Sequence, residues 1–226
     1  MQQKKAIFSD IDKTLIPSGS LNLLVQHLYK KKLIPLNLII RVLYWYLLYK
    51  MNWIKDFSKV IEKSSELLAP LLKSHSAVEL HTLINNWFDS DIKQIIYPDI
   101  EQRIRDLHKQ GYELYFVTST LEPIAKCFQE YFGFGTVVAT ELTEKNGYYS
   151  AIPNGAPCHG KEKARRMNDL VIKDKLDLAN SFAFSDHISD VPMLKLVGHP
   201  VVINPNPILN IIARKNKWEI LSPKLA

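Results

Sequence analysis

Cysteine is scarce in this chain: Cys127 and Cys158 are the two in 226 residues, and no CxxC is formed. A disulfide framework and a thiolate zinc site are therefore not expected, and a reducing, cytoplasmic setting is the default. The seven histidines are scattered without metal-ligand spacing. With 8 glycines and 12 prolines the chain has neither a collagen-like nor a low-complexity character. A signal-peptide pattern is missing too, because Met1 to Lys5 runs into a short strand-like segment that reaches an acid by Asp10, so the mature chain is expected to start at Met1. No unbroken apolar run is long enough to cross a bilayer. The most apolar stretch, residues 33–54, is interrupted by Pro35, Asn37, Arg41, Lys50 and Asn52, and its longest clean run is Val42 to Tyr49, well short of the ~20 residues a spanning helix needs.

What is present is an ordinary globular composition, 46% hydrophobic and 23% charged, long enough for one domain with an insertion. Twenty-nine basic against 23 acidic side chains give a net charge of +6, which favours anionic partners: phosphates, acidic metabolites or anionic lipid. Nucleic acid is not expected, since no basic stripe interleaved with aromatics accompanies the charge. The 33–54 stretch, with Tyr44, Trp45, Tyr46, Tyr49 and Trp53 and flanking lysines, reads either as a helix packed in a helical subdomain or as an interfacial helix making peripheral membrane contact.

Along the chain, short apolar strands at Lys4 to Phe8, Tyr112 to Val117, Thr136 to Ala139, Ser181 to Phe184 and Val201 to Ile203 alternate with amphipathic segments. Helices are expected over Asp99 to Lys109, Glu122 to Phe132, Lys161 to Val171, Ile188 to Leu196 and Pro207 to Lys215. Alternation of this kind predicts a Rossmann-like α/β core with a parallel sheet. Between residues 20 and 95 apolar residues recur at helical period with breaks near Pro35 and Pro70, so residues 1–19 and 96–226 are assigned to the α/β core and 20–95 to an all-helical insertion. Asn146-Gly147 marks a β-hairpin within Glu141 to Ile152, expected to decorate the edge of the sheet.

Ligands of parallel sheets bind beyond the carboxyl ends of the strands, which directs attention to Asp10, Thr118 and Asp186. Asp10 and Asp12 stand two apart in a loop after the first strand, over one pocket. Paired acids of this kind suit a hard cation such as Mg2+ or a split into nucleophile and proton-transfer roles. Taken alone they also fit a solvated turn in which Thr14 caps the next helix. Thr118, Ser119 and Thr120 place hydroxyls and amides where a phosphate could be held, although a plain helix cap would look alike. Asp186 and Asp190 supply two more acids, and four acids converging on one place call for a cation. Lys161 and Lys163 open a basic helix; either side chain could meet a phosphoryl oxygen, or both could belong to an exposed face.

Taken together, Asp10-x-Asp12-x-Thr14, the strand ending in Thr118, Lys163, and Asp186-x-x-x-Asp190 resemble the haloacid dehalogenase (HAD) superfamily, and in "FVTSTLEPIA", "CHGKEKARR" and "SDHISDVPML" the phosphoserine phosphatase-like subfamily. The resemblance implies an HAD fold with a helical cap after the first strand. It implies a Mg2+-dependent phosphomonoester hydrolase in which Asp10 is the nucleophile, Asp12 the general acid and base, Thr118 a phosphoryl-binding hydroxyl and Lys163 the cation, with Lys161 as the alternative. Asp10, Asp12 through its carbonyl, and Asp186 would hold the metal, while Thr14, Ser119 and Asp190 would support the site. An intact second aspartate favours phosphate esters over carbon–halogen cleavage.

Two departures qualify this picture. Lys13 occupies a position where relatives commonly carry Gly, Asn or Ser. Gly19 stands nine residues after the nucleophile, where phosphoserine phosphatases place an acid for the substrate's amino group, so phosphoserine is a poor fit. The expected substrate is then a phosphorylated small molecule or, because some phosphatidylglycerophosphate phosphatases look similar in these motifs and in the aromatic stretch, a phospholipid headgroup. A non-catalytic phosphate-binding or signalling module with a phosphorylated aspartate is the competing class; the second acid pair and the size of the insertion count against it.

Overall fold

The computed structural model describes residues 3–51, 53, 72 and 74–225; the break expected at Pro70 and residues 52 and 54 of the aromatic stretch lie outside these. Six strands form one fully parallel sheet in the order β3-β2-β1-β6-β7-β8. They are β1 (Ala6–Ser9), β2 (Glu113–Leu121), β3 (Thr136–Thr140), β6 (Phe182–Ser185), β7 (His199–Ile203) and β8 (Glu219–Leu221). A separate antiparallel pair is made by β4 (Leu142–Lys145) and β5 (Tyr148–Pro153).

Strand alternation sorts β1 between two cores. Ile7, with Phe116 and Phe184, faces one apolar cluster, to which α4 (Pro98–Lys109) contributes Ile100, Ile104 and Leu107 and α5 (Glu122–Phe132) contributes Phe128. Ala6 and Phe8, with Tyr115 and Val117, face the other, closed by Met167 of α6 (Lys161–Asp174) and by Leu209 and Ala213 of α8 (Pro207–Lys215). Helices thus cover both faces, as an all-parallel sheet requires. The chain winds outward from β1 in both directions, so β1 and its neighbour β6 flank the point where strand order reverses, and a crevice opens there beyond their carboxyl ends.

The described part of the insertion is helical, as its period suggests: α1 (Ser20–Lys30), α2 (Leu36–Lys50) and α3 (Ala77–Trp87), followed by a π-turn over Phe88–Ile92. Its ends meet, since the Tyr97 N–H donates to the Leu15 carbonyl at 2.8 Å. Leu24, Leu28, Ile84 and Trp87 of these helices share a single apolar cluster with Ile7 and Ile11 of the core, so the insertion is seated directly on the sheet's helical layer.

Several expectations need correction. The hairpin does form, with Asn146 and Gly147 both at positive φ (55° and 78°), but it does not decorate the sheet edge. Leu142 and Tyr149 pack on Leu72, Ala77 and Leu80, and the Ala77 N–H donates to the Gly147 carbonyl at 2.7 Å, so the hairpin clasps α3. Its apolar side chains find their partners on that helix, with Leu121 of β2 packed beside them. β2 continues past Val117 to Leu121 with a register shift against β3, placing Thr118 to Thr120 inside the strand. Ile188 to Leu196 is a 3-10 turn over Ile188–Asp190 followed by one helical turn, α7 (Val191–Leu194), with Pro192 inside it. The edge strand β8, three residues long, was not expected.

Candidate active site

At the carboxyl end of β1, the backbone N–H of Asp10 donates to the Phe184 carbonyl of β6 at 3.0 Å, so sheet pairing itself delivers this side chain into the crevice. Asp10 is buried. Its Oδ1 accepts from the Ile11 N–H at 2.8 Å and its Oδ2 lies 2.9 Å from Lys163 Nζ. Burial, reinforced by the charges of Asp190, Asp12 and Asp186, pushes the Asp10 carboxyl up to about 7 against the pull of Lys163.

Lys163 is itself buried, and its Nζ reaches Asp190 Oδ2 at 2.7 Å as well as Asp10. Burial works against the ammonium, but the two carboxylates outweigh it and hold its pKa above the ordinary lysine value. Lys161, by contrast, is exposed. Helical phase explains the difference: Lys163 shares the inward face of α6 with Met167 one turn on, whereas Lys161 and Arg165 share the outward face. Gly160, at φ 55°, permits the abrupt turn into α6.

Asp190 also accepts from Ser185 Oγ at 2.7 Å. Although burial raises a carboxyl, Lys163 and these hydrogen bonds hold Asp190 below its usual range. Asp186, just past β6, is lifted by burial to about 6, with the charge of Lys13 opposing that rise. Lys13 is exposed and in left-handed conformation, φ 57°, a backbone that Gly or Asn adopts more readily than lysine. His187 is half-buried; its Nδ1 accepts from the Ser189 N–H at 3.2 Å and pairs with Ser189 Oγ at 2.8 Å.

Asp12 is clamped at both oxygens. Oδ1 accepts from the Ser20 N–H at 2.8 Å and Oδ2 from Thr120 Oγ1 at 2.9 Å, while Ser20 Oγ and Thr120 Oγ1 lie 3.0 Å apart. Thr120 was named from the sequence only as one of three hydroxyls that could hold a phosphate, not as a partner of Asp12, and Ser20 was not singled out. A signal existed for Thr120, because strand period two puts it on the same side as Thr118; none existed for Ser20, the first residue of the helical insertion. Thr118 is buried, its Oγ1 accepting from the Thr120 N–H at 3.2 Å, and Ser119 is half-buried beside it. Thr14 does not cap a helix, as one reading had it: α1 starts at Gly19 and Ser20, and Thr14 Oγ1 is buried without a hydrogen-bond partner.

Among the described residues no three His, Cys, Asp or Glu side chains form a ready metal cluster. The set expected for Mg2+ comprises two carboxylates and a backbone carbonyl, all oxygen donors, as a hard cation prefers. Asp10 and Asp190 share the buried ammonium of Lys163, while Asp12 and Asp186 add two more carboxylates whose charge reaches Asp10, so four acids stand near one buried cation. The residues therefore fit a divalent cation. Both cysteines are buried thiols pushed up by burial, Cys127 to about 12 and Cys158 to about 11, and neither belongs to this chemistry.

The model of the haloacid dehalogenase-like hydrolase family matches residues 7–195. Over 222 residues the chain is 27% identical to the phosphoserine phosphatase SerB1 of Mycobacterium tuberculosis (strain ATCC 25618 / H37Rv), covering 98% of this chain and 71% of that protein. A protein of unknown function from Bordetella pertussis Tohama I shares the fold with a TM-score of 0.88 at 24% identity, covering 98% of this chain and 99% of that one. A phosphoserine phosphatase solved as a phospho-aspartyl intermediate analogue shares it with a TM-score of 0.67 at 18% identity, covering 99% and 95% of the two chains. The chain belongs to the haloacid dehalogenase-like hydrolases, among which it is a phosphatase-type enzyme similar to phosphoserine phosphatase.

Proposed function

We propose that this enzyme is a Mg2+-dependent phosphomonoesterase working through an aspartyl-phosphate on Asp10. The observation that carries this reading is the pairing of an ammonium-bound buried carboxylate, Asp10 at 2.9 Å from Lys163, with a second carboxylate, Asp12, fixed at both oxygens by Ser20 and Thr120. Asp10, the Asp12 carbonyl and Asp186 would hold Mg2+, which when bound would offset the charge of the phosphoryl oxygens. An Asp10 oxygen attacks phosphorus and forms the O–P bond as the ester P–O bond breaks. Asp12 gives its proton to the leaving oxygen. It then takes one from the water that attacks phosphorus, which returns Asp10 as a free carboxylate and releases phosphate. Lys163 and Thr118 hold the transferring group, and Asp190 keeps Lys163 in place. Residues 20–95 serve as the cap that excludes water and selects the ester.

A Cβ on Gly19 would stand 3.9 Å from Asp12 Oδ2, so this position borders the leaving-group side. With no carboxylate there to meet an ammonium, phosphoserine is disfavoured. The substrate is a phosphorylated small molecule or a phospholipid headgroup, handled in the cytoplasm. The test is phosphate release by wild type and Asp10→Asn, with and without Mg2+, across phosphoserine, sugar phosphates, nucleotides and a micellar lipid phosphate. Mg2+-dependent release that falls at least about 10³-fold in the variant is expected; a variant that keeps its activity refutes the mechanism, and the best ester identifies the class.

A further inference from the structure

The catalytic reading leaves α2 unexplained. On one side of this helix Leu38 and Ile39 pack against the main core. On another, Leu36, Ile40, Leu43, Tyr44, Leu47 and Met51 are each between 51% and 57% exposed. At 100° per residue these six fall within an arc of about 100°, one continuous apolar stripe. Leu33 before the helix and Trp53 after it are exposed too, at 42% and 73%. Isolated exposed leucines are commonplace, but a contiguous stripe of this kind marks an interaction surface.

The charge around the stripe is distributed just as unevenly. From Lys13 to Lys55 the sequence contains seven basic residues and no acid. The remainder of the chain carries 22 basic and 23 acidic side chains, so it is close to neutral, and this one segment holds the protein's whole positive charge. Lys30, Lys31 and Lys32 are exposed at the turn leading into the stripe, and Arg41 is exposed on the helix itself.

We propose that α2 docks this enzyme onto an anionic phospholipid bilayer, lying in the interface with its apolar stripe in the acyl boundary and Lys30 to Lys32 on the headgroups. The partner must be negative and offer apolar depth over a helix's length, and an anionic leaflet supplies both. A second copy of the chain would bring two acid-free basic segments together, which repels. The helix is 15 residues, about 22 Å at 1.5 Å per residue, too short to cross a hydrocarbon core of about 30 Å, and no described helix is long and apolar enough to span a membrane.

The experiment is flotation with vesicles of phosphatidylglycerol and phosphatidylcholine, compared with phosphatidylcholine alone, at low and high salt. Phosphatidylglycerol is a phosphodiester, so flotation reports binding and not turnover. Wild type is expected to float with the anionic vesicles, to remain behind with the neutral ones, and to be released by salt. Substituting Lys30, Lys31 and Lys32 together by Gln should weaken partitioning about a hundredfold, and Leu43→Gln with Leu47→Gln at least about tenfold, with circular dichroism unchanged in both. Asp10→Asn should float like wild type, which separates this surface from the catalytic reading. The proposal is overturned if wild type ignores anionic vesicles, if both variants float like wild type, or if the leucine variant instead dissociates a dimer of the chain.

Discussion

The crevice at the carboxyl end of β1 and the outer face of α2 break the ordinary rule of burial in opposite directions. The crevice buries Asp10, Lys163 and Asp190, whereas α2 leaves Leu36, Ile40, Leu43 and Leu47 in solvent. Neither arrangement is what a chain optimised only for folding would adopt. The difference lies in what holds each in place. Buried charges in the crevice depend on one another, so removing one harms the rest; the leucines of α2 are more than half exposed, so replacing one costs the fold little.

Lys163→Met measures this contrast at its largest. At pH 8 the variant leaves Asp10 and Asp190 buried without their ammonium, and urea unfolding should show a loss of about 3–5 kcal/mol together with loss of turnover. Leu47→Lys, on a half-exposed position, should stay within about 0.5 kcal/mol of wild type. Equal effects at the two positions would mean that the crevice is not a mutually dependent cluster.

Within the crevice, Thr120→Val tests how far Asp12 depends on its clamp. Valine keeps the shape and removes the hydroxyl that donates to Asp12 Oδ2 at 2.9 Å and meets Ser20 Oγ at 3.0 Å. Turnover should fall about 10- to 100-fold with KM nearly unchanged, and Thr120→Ser should restore most of it. A general defect in folding would not be rescued by serine in this way.

How much of this was readable in advance follows from the range of the interactions concerned. Asp10, Thr118, Asp186 and Asp190 announce themselves because an apolar strand followed by polar residues is a local pattern, and a parallel sheet sends every such strand end to the same edge. The choice between Lys161 and Lys163 needed the phase of α6, which Met167 carries four residues on from Lys163. Ser20 was invisible, because its partner Thr120 is 100 residues away. The Asn146-Gly147 turn was legible for the same local reason as the strand ends, but the docking of its hairpin on Ala77 was not. Composition flagged residues 33–54 without revealing that Leu36, Ile40, Leu43, Tyr44 and Leu47 line one exposed face of the helix.

The smallest expected effect concerns pH. Burial lifts Asp10 to about 7 and Asp186 to about 6, so without a cation their folded values lie above the unfolded ones. Stability from such groups is fully present below about pH 4 and is lost as pH rises through 6 and 7. Asp190 works in the opposite sense, being held low, but its contribution is complete above about pH 4 and does not change over this window. His159 and His187 are lowered by burial; they favour folding as pH rises, which masks the carboxylates in a simple stability curve. Comparing melting with and without Mg2+ at each pH removes the histidine contribution. A cation held by Asp10 and Asp186 relieves a penalty that exists only when they are ionised, so its stabilising increment should grow by about 1 kcal/mol between pH 5.5 and pH 8. Calorimetry at pH 6 should show protons released as Mg2+ binds. An increment independent of pH would place the metal away from these two carboxylates and leave the crevice without its cation.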